Sequence, residues 1–307
     1  MTGAEELLAL QGQRLSWLDP LLPPATPPPQ GEVLTARTGG GTVAGVLVRA
    51  EHPPGSPARM WSASHVSELV PVLGGSGRAG MHALLAAWRS RLPDLGLPDG
   101  DSGCVVSWPS RDVEVGRALL DHGFVPLSVI AVRCPLARPS GPPPDGVRRA
   151  RPGDLEGCLA LALAEHEYSM LVGGTVLREE TVELKRGLLD TRLRRGEPIW
   201  VAERGGIMVG LAECGFSDVV PGSWTATRLP AGRWGYVNCA SVLPDARGCG
   251  VGQRLVAHVH TAFASSGVVG SYLYYNPPNP LSSVFWPRQG YRPLWTVWEA
   301  RPAAALR

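Results

Sequence analysis

Apolar residues in the second half of the chain fall into short runs with two different periods, which predict strands and helices in a regular order. Strands are predicted at residues 147–150, 200–204, 207–214, 236–243, 268–275 and 291–299. Helices are predicted at residues 155–165, 179–195, 253–265 and 281–288. This order predicts a mixed central sheet with crossover helices, and therefore an α/β (α+β) fold.

The first half shows the later part of this order more loosely. It predicts a hairpin at residues 35–49, strands at 65–72 and 104–108, helices at 81–91 and 113–122, and a strand that runs through Val132. The closing segments match best, since residues 123–127 read Gly-Phe-Val-Pro-Leu and residues 290–294 read Gly-Tyr-Arg-Pro-Leu. Each lies after a predicted helix and before a predicted strand. We interpret the two halves as a diverged internal duplication.

A proline-rich segment separates the halves. Residues 139–146 read Pro-Ser-Gly-Pro-Pro-Pro-Asp-Gly, a sequence that can continue neither a helix nor a central strand. We interpret it as a semi-rigid linker, with one domain at residues 1–138 and a second at residues 147–307.

Composition and charge narrow the class of protein. Of the 307 residues, 44% are hydrophobic and 18% are charged, which is typical of a soluble globular protein. The net charge of +2 is too small to favour nucleic acid or an acidic membrane surface as a partner. The chain begins without a basic segment or a long apolar run, which argues against a signal peptide and a membrane span. We therefore expect a cytoplasmic protein. Its positive charge is almost all arginine, with Lys185 the one lysine, as is typical of a GC-rich bacterial genome.

The cysteines and histidines do not predict a metal site. None of the six cysteines forms a C-x-x-C pair, so neither a zinc cage nor a disulfide framework is indicated. His258 and His260 lie two residues apart on a predicted helix and therefore point in different directions.

A glycine-rich loop is the strongest candidate for a binding site. Gly248, Gly250 and Gly252 follow an apolar strand and open a predicted helix. Such a helix start offers unpaired N–H groups and the positive end of the helix dipole, which favour a pyrophosphate. A dinucleotide-binding loop requires a glycine where this chain has Gln253, and the P-loop spacing with Gly-Lys-Ser/Thr is absent. A merely tight turn is the alternative for the loop taken by itself.

Three ordered motifs together resemble the GNAT acetyltransferase superfamily over about residues 146–301. Residues 242–255 read Val-Leu-Pro-Asp-Ala-Arg-Gly-Cys-Gly-Val-Gly-Gln-Arg-Leu, similar to the family's coenzyme A signature. Residues 147–155 are similar to its first strand and helix entry. Downstream, six residues fall at the spacing of its Asn-x-x-Ala-x-x-Leu-Tyr-x-x-x-Gly-Phe motif: Asn279, Ser282, Phe285, Trp286, Gly290 and Tyr291.

This resemblance implies a GNAT-like sheet that splays between the strands at 236–243 and 268–275, with acetyl-CoA bound in the cleft as a co-substrate. Backbone N–H groups near residues 239–242 would hold the pantetheine arm and polarise the thioester carbonyl. No metal is expected. The predicted cofactor-binding residues are Ser241, Val242, Leu243, Arg247, Gly248, Cys249, Gly250, Val251, Gly252, Gln253, Asn279 and Ser282.

The catalytic positions depart from the family pattern. An acceptor amine like that of lysine has a pKa of about 10.4 and must lose a proton before it attacks a thioester. Where the family often has an acid, this chain has Tyr236, and Glu213 is the nearest carboxylate, either as a base or as an exposed charge at a strand end. Trp286 stands at the position of the family's general-acid tyrosine, for which Tyr274 or Tyr275 can substitute. The predicted catalytic residues are Glu213, Tyr236 and Tyr275.

Two other regions bear on the acceptor. Glu165, His166, Glu167 and Tyr168 follow the first predicted helix of the second half, where the family often forms its acceptor pocket, with a solvated helix end as the alternative. The first half lacks the Arg-Gly-x-Gly-x-Gly order and has Asp112 at the position that matches Asn279. An acidic residue there repels phosphates, so we expect a degenerate copy that binds no coenzyme A.

The resemblance implies an acetyl-CoA-dependent N-acetyltransferase that acts on a primary amine by direct attack in a ternary complex. The acceptor would be a small-molecule amine or a protein N-terminus, and no oligomeric state is predicted. A non-catalytic module that binds acyl-CoA is the alternative, because the acid at 236 and the tyrosine at 286 are missing. A regulator that binds NAD or ATP is a third interpretation of the loop.

Overall fold

The computed structural model describes residues 3–136 and 145–307 and confirms the predicted α/β class. Two compact units can be distinguished, and each is made of separate segments of the chain. The first contains the residues up to Ile130 together with Pro221–Pro230 and Pro293–Arg307, and the second contains Ala131–Val220 and Ala231–Arg292. Most of the predicted linker at 139–146 lies outside the described residues. The predicted domains at 1–138 and 147–307 stay a prediction.

The first unit is built on a sheet in which β1 (Glu32–Thr38), β2 (Gly41–Glu51), β3 (His65–Val72), β4 (Ser102–Pro109) and β11 (Arg292–Ala300) are neighbours in that order. The β3–β4 pair is parallel, and the other three pairs are antiparallel. Helices α2 and α3 contact each other, and their apolar residues share one buried core with β1, β2, β3 and β4. The elements that begin in this half are α1 Gly3–Leu18, β1 Glu32–Thr38, β2 Gly41–Glu51, β3 His65–Val72, α2 Gly77–Arg91, β4 Ser102–Pro109, α3 Val113–Asp121 and β5 Val125–Arg133.

The second unit contains antiparallel strands β6, β7, β8 and β9, followed by β10, which is parallel to β9. Helices α4 and α5 pack together, and a buried apolar cluster joins them to β7 and β8. The elements that begin in the second half of the chain are β6 Val147–Arg149, α4 Leu155–Leu171, α5 Thr181–Arg194, β7 Ile199–Arg204, β8 Ile207–Val219, β9 Gly232–Val242, α6 Val251–Ser265, β10 Gly270–Tyr275, α7 Ser282–Arg288 and β11 Arg292–Ala300, the last of which belongs to the first unit.

Helix α4 ends later than predicted, and this changes the position of its last polar residues. The prediction ended the helix near Glu165, whereas the helix continues to Leu171. The buried side chain of His166 contacts the carbonyl of Val176, and Thr175 donates a hydrogen bond to the His166 carbonyl. The loop after α4 therefore folds back and stabilises the additional turns. The alternative of a solvated helix end is therefore wrong for His166 and Ser169, which are buried, whereas Glu167 is exposed.

Strand β8 is also longer than predicted. The predicted strand ends at residue 214, but Ser217 and Asp218 still pair with Trp234 and Arg233 of β9. Because the β8–β9 hairpin continues this far, β9 begins at Gly232, which pairs with Val219.

Candidate active site

The two parallel strands of the second unit, β9 and β10, separate at their carboxyl ends. The pairing of β9 with β10 ends at Val237 and Leu273, although β9 continues to Val242 and β10 to Tyr275. At the same point the β8–β9 register shifts, which leaves Asn238 as an extra residue in β9. Such a β-bulge bends a strand and increases its twist. The expected splay between these two strands is therefore present.

A cleft of about 640 Å³ begins where the strands separate. That volume is within the range of about 300–1,000 Å³ usual for small-molecule sites. One end is formed by the glycine loop and the first turn of α6, and the walls by the ends of β9 and β10 and by α7. Helix α4 contributes Glu165, Tyr168 and Ser169. The cleft therefore joins a helix N-terminus to a carboxylate.

The glycine loop has the conformation of an anion site. Gly248 and Gly250 both have a φ of +75°, a conformation that residues with a side chain rarely adopt. Gly250 is the N-cap of α6, so the N–H groups of the next residues point out of the helix start. Nε of Arg247 donates to the carbonyl of Val242 at 3.0 Å, and Arg254 donates to the carbonyl of Cys249 at 3.1 Å. These two arginines fix the loop across its base.

A side chain at Gly252 would be crowded by helix α7. A Cβ at this position would lie 3.3 Å from the ring of Phe285 on α7. The close approach of α6 to α7 therefore depends on the missing side chain.

Most of the predicted cofactor-binding residues line this one cleft, and their roles stay predictions. Leu243 and Cys249 are not among the lining residues: the N–H of Leu243 donates to the carbonyl of Val209, and Cys249 is exposed. The predicted residues that line the cleft are Ser241, Val242, Arg247, Gly248, Gly250, Val251, Gly252, Gln253, Asn279 and Ser282.

Asn279 is buried and shapes the entry to α7. Its Oδ1 accepts hydrogen bonds from the N–H groups of Leu281 at 2.9 Å and Ser282 at 3.1 Å. The Ser282 hydroxyl in turn contacts the carbonyl of Asn279 at 3.4 Å. Asn279 thus holds the start of α7 against the cleft, a contribution that the sequence motif did not specify.

The tyrosines of β9 and β10 divide into two groups. Tyr236 stacks on Tyr272 with ring centroids 4.7 Å apart and donates to Oδ1 of Asn238 at 3.1 Å. It does not appear among the residues that line the cleft, whereas Tyr274 and Tyr275 do. Burial raises the pKa of Tyr275, so its phenol keeps its proton at neutral pH and can donate it.

Glu213 is a buried member of an ion pair. Its side chain is 5% exposed, and its Oε2 lies 2.6 Å from Nη1 of Arg192 and 3.3 Å from Nδ2 of Asn238. The alternative of an exposed charge at a strand end is therefore wrong. Glu213 is not among the lining residues of the cleft, and its role as a base stays a prediction.

Glu165 was not among the predicted catalytic residues, yet it is the carboxylate that lines the cleft. Its Oε1 accepts a hydrogen bond of 2.6 Å from the hydroxyl of Ser169, one turn later on α4. Its Oε2 lies 3.9 Å from Sγ of Cys239 on β9. The Glu-x-x-x-Ser spacing is the sequence signal that could have indicated one helix face.

Residues 195–293 match the family model described as an acetyltransferase (GNAT) domain. This range contains β7 to β10, the glycine loop, α6 and α7. This segment of the chain belongs to the GNAT superfamily. The matched segment thus contains the splayed strands and the helix start that border the cleft.

Two solved GNAT structures resemble the chain over nearly its whole length. A GCN5-related N-acetyltransferase from Sphaerobacter thermophilus has a TM-score of 0.57 at 15% identity, over 98% of this chain and 93% of that one. A GNAT-family acetyltransferase from Colwellia psychrerythraea has a TM-score of 0.51 at 12% identity, over 94% of each chain. At these identities the likeness shows the fold, which extends beyond the segment that the family model matches.

Two features are absent from the part of the chain that the structure describes. Within residues 3–136 and 145–307, no three His, Cys, Asp or Glu side chains are grouped as metal ligands. The same part of the chain has no helix with the length and apolar character needed to cross a membrane.

Proposed function

We propose that the protein is an N-acetyltransferase that transfers an acetyl group from acetyl-CoA to a primary amine. The observation that carries this proposal is the cleft between β9 and β10, which opens at the N-terminus of α6 and is bordered by Gly248 and Gly250 in the left-handed conformation. A helix N-terminus with an open glycine loop suits a pyrophosphate, and a long cleft beside a strand edge suits the pantetheine arm.

The two ends of the cleft have different chemistry, which supports acyl transfer. At the α6 end, the N–H groups of Val251, Gly252 and Gln253 face a site for anionic oxygens, with Arg247 nearby. At the α4 end, Glu165 offers a negative charge to a cationic acceptor. In this proposal the free backbone edge of β9 at Ser241 holds the acyl donor between the two ends.

The chemistry requires one proton to leave the amine and one to reach the thiolate. The acyl donor supplies a thioester, whose carbonyl carbon is attacked by the neutral amine. Tyr275 lines the cleft, and its phenol is protonated at neutral pH, so we propose it as the donor to the departing sulfur. Trp286 cannot serve, since it is buried between Phe285 and Tyr291 and has no hydroxyl.

The proposed acceptors are small-molecule amines and protein N-termini. Both present a primary ammonium group, which the α4 end of the cleft can receive beside Glu165.

The direct test is calorimetric titration of acetyl-CoA into the wild type and into Gly250→Trp and Gly267→Trp. Both glycines have positive φ, +75° and +69°, and they lie at opposite ends of α6, so the second variant is a matched control. We expect micromolar binding by the wild type and by Gly267→Trp, and loss of at least tenfold in Gly250→Trp. No binding by the wild type would contradict the proposal.

Turnover separates the enzyme from a module that only binds acyl-CoA. Release of free thiol in the presence of a panel of primary amines supports the transferase. Tight binding of acetyl-CoA with no thiol release from any amine favours the binding module, for which the tryptophan at position 286 is the structural argument.

A further inference from the structure

Two carboxylates lie near the point where β9 and β10 separate, and they differ in their ion pairing and in their access to the cleft. Glu213 is paired with Arg192 and lies outside the cleft lining, whereas Glu165 lines the cleft. We propose that Glu165 is the catalytic carboxylate that binds the acceptor ammonium and accepts its proton. This inference rests on the proposed acetyl transfer and names the residue that prepares the amine for it.

The position of Glu165 suits an attack on a thioester held by β9. Its Oε2 lies 3.9 Å from Sγ of Cys239, in the stretch of β9 that we expect to carry the thioester. The hydrogen bond from Ser169 fixes the other oxygen, Oε1, at 2.6 Å. A carboxylate anchored through one oxygen can direct the other at a substrate proton, as a general base requires.

The groups that face Glu165 come from four elements. Ser169 belongs to its own helix, Lys185 to α5, Glu213 to β8 and Cys239 to β9. Burial and, to a smaller extent, Glu213 raise the pKa of Glu165, while Ser169, Lys185 and Cys239 oppose the shift. A carboxylate with a raised pKa is a stronger base than an ordinary glutamate and remains ionised above that pKa. Burial keeps the Cys239 thiol protonated, because it raises the thiol pKa well above the ordinary value.

Glu165 takes one proton from R–NH3+ and leaves the neutral amine, whose lone pair forms the C–N bond to the acetyl carbon. The C–S bond breaks with its electron pair on sulfur, and the thiolate receives a proton from Tyr275. The second proton that the nitrogen must lose then returns to the Tyr275 phenolate. The products are the acetamide, the free thiol and a protonated Glu165, which returns its proton to solvent.

The test compares Glu165→Gln with Glu167→Gln, the same change at an exposed glutamate of the same helix. For Glu165→Gln we expect acetyl-CoA affinity within about twofold of the wild type and a kcat/KM at least about 100-fold lower at neutral pH. The loss should shrink toward pH 10, where the amine deprotonates without help. Glu167→Gln should match the wild type throughout.

A readout independent of turnover is the titration of Glu165 itself, followed by carboxyl 13C NMR in the free protein. Wild-type kcat/KM should fall as the pH drops through that titration, because protonated Glu165 cannot accept a proton, and this acid limb should vanish in Glu165→Gln. A variant that keeps its rate and its acid limb overturns this proposal alone. A wild type that neither binds acetyl-CoA nor releases thiol overturns the proposed function as well.

In the first unit, helix α1 contacts the strand end and the glycine-rich loop that correspond to the borders of the cleft in the second unit. There β3 and β4 are also parallel and joined through a glycine-rich loop and α2. Gln11 of α1 is buried and pairs with the end of β3, donating to the carbonyl of Pro71 at 3.1 Å and accepting from the N–H of Leu73 at 2.7 Å. This is the backbone edge that corresponds to Ser241 and Val242 in the second unit.

Two further side chains of α1 cover the loop itself. A Cβ at Gly74 would lie 2.8 Å from Leu7, and one at Gly77 would lie 3.1 Å from the guanidinium of Arg14. The same guanidinium forms a bidentate ion pair with Asp112, with Nη2 2.7 Å from Oδ1 and Nε 3.0 Å from Oδ2. Asp112 is the N-cap of α3, as Asn279 holds the start of α7.

We infer that α1 is an internal occupant of the cofactor-type cleft of the first unit, so the chain binds acetyl-CoA at a single site. Calorimetry should give one acetyl-CoA per chain for the wild type, and no site of wild-type affinity should remain in Gly250→Trp. In hydrogen exchange, acetyl-CoA should slow the amides of residues 250–253 and leave that of Leu73 unchanged. Acetyl-CoA binding of wild-type affinity in Gly250→Trp, or protection of residues 71–77 by acetyl-CoA, would overturn the inference.

Discussion

Each unit has a glycine-rich loop between a strand and a helix, and the two loops differ in what faces them. In the first unit, Arg14 lies against Gly77, which has a φ of +48°. In the second unit, Gly250 with a φ of +75° borders an open cleft. Both loops thus have the left-handed glycine that an anion site needs. Loop geometry alone therefore does not make an anion-binding site, because the anion must also be able to reach the helix start.

The two units also differ in the residue that stands before the helix after the second parallel strand, which is Asp112 after β4 and Asn279 after β10. Asp112 and Asn279 are both buried and both accept hydrogen bonds from backbone N–H groups of the helix that follows. Asp112 carries a charge that Arg14 of the same chain neutralises. Asn279 is neutral and borders the cleft, so a phosphate can lie near it without repulsion.

The largest effect on this comparison is expected from Arg14→Ala. The change leaves the Asp112 carboxylate buried, with Trp108 Nε1 at 3.0 Å as a remaining donor. Since Arg14 is 25% exposed, we expect a loss of about 3 kcal/mol in the free energy of unfolding, at the lower end for a broken buried pair. Chemical denaturation measures it. Acetyl-CoA affinity should stay unchanged, and Arg14→Ala/Asp112→Asn should recover part of the stability. A stability equal to the wild type would show that the pair does not hold α1.

Asn279→Asp gives the second unit the residue of the first, and an intermediate effect is expected. Asn and Asp are comparable caps, so the free energy of unfolding should change by less than about 0.5 kcal/mol. The new charge should weaken acetyl-CoA binding about tenfold, or about 1.4 kcal/mol, and the difference should shrink at high salt.

Asn279→Ala is the control for that result, because it removes the cap without adding charge. It should cost about 1 kcal/mol of stability. An Asn279→Asp variant that binds acetyl-CoA as tightly as the wild type would place the coenzyme phosphates away from α7.

The smallest effect is expected from Arg247→Ala. This exposed side chain donates to the carbonyl of Val242 and lies 5.6 Å above the ring of Tyr168. Because an exposed charge is largely screened, acetyl-CoA affinity should fall only about threefold at low salt and less at high salt. A loss comparable to that of Gly250→Trp would mean that the arginine, rather than the backbone, carries the anion site.

The elements that border the cleft could be predicted from the sequence because each has a signal within a short stretch of the chain. The apolar run of β9 and the glycines that open α6 lie within twenty residues of each other, and the observed bounds differ from the predicted ones by a few residues. Glu165 was harder to choose, since a polar run near the end of a helix has the same pattern whether it is solvated or buried. The return of Thr175 onto His166, which settles the matter, is a contact of the loop that follows.

The partner of the last strand also could not be predicted from pattern. The apolar alternation of β11 suits the edge of any sheet, and the prediction assigned it to the second domain. Its residues from Trp295 to Ala300 pair with β4, nearly two hundred residues earlier in the chain. Such pairing depends on the whole fold and leaves no signal in a short window.

Strand β11 has a consequence for how the protein must be made. The first unit lacks this strand until the ribosome has also translated residues 131–292. At about 5–20 residues per second, the edge of β4 waits on the order of ten seconds for its partner. A gene divided between residues 138 and 147 would encode an upstream fragment without β11. To study either half, both polypeptides should therefore be expressed together, or the chain should be kept whole.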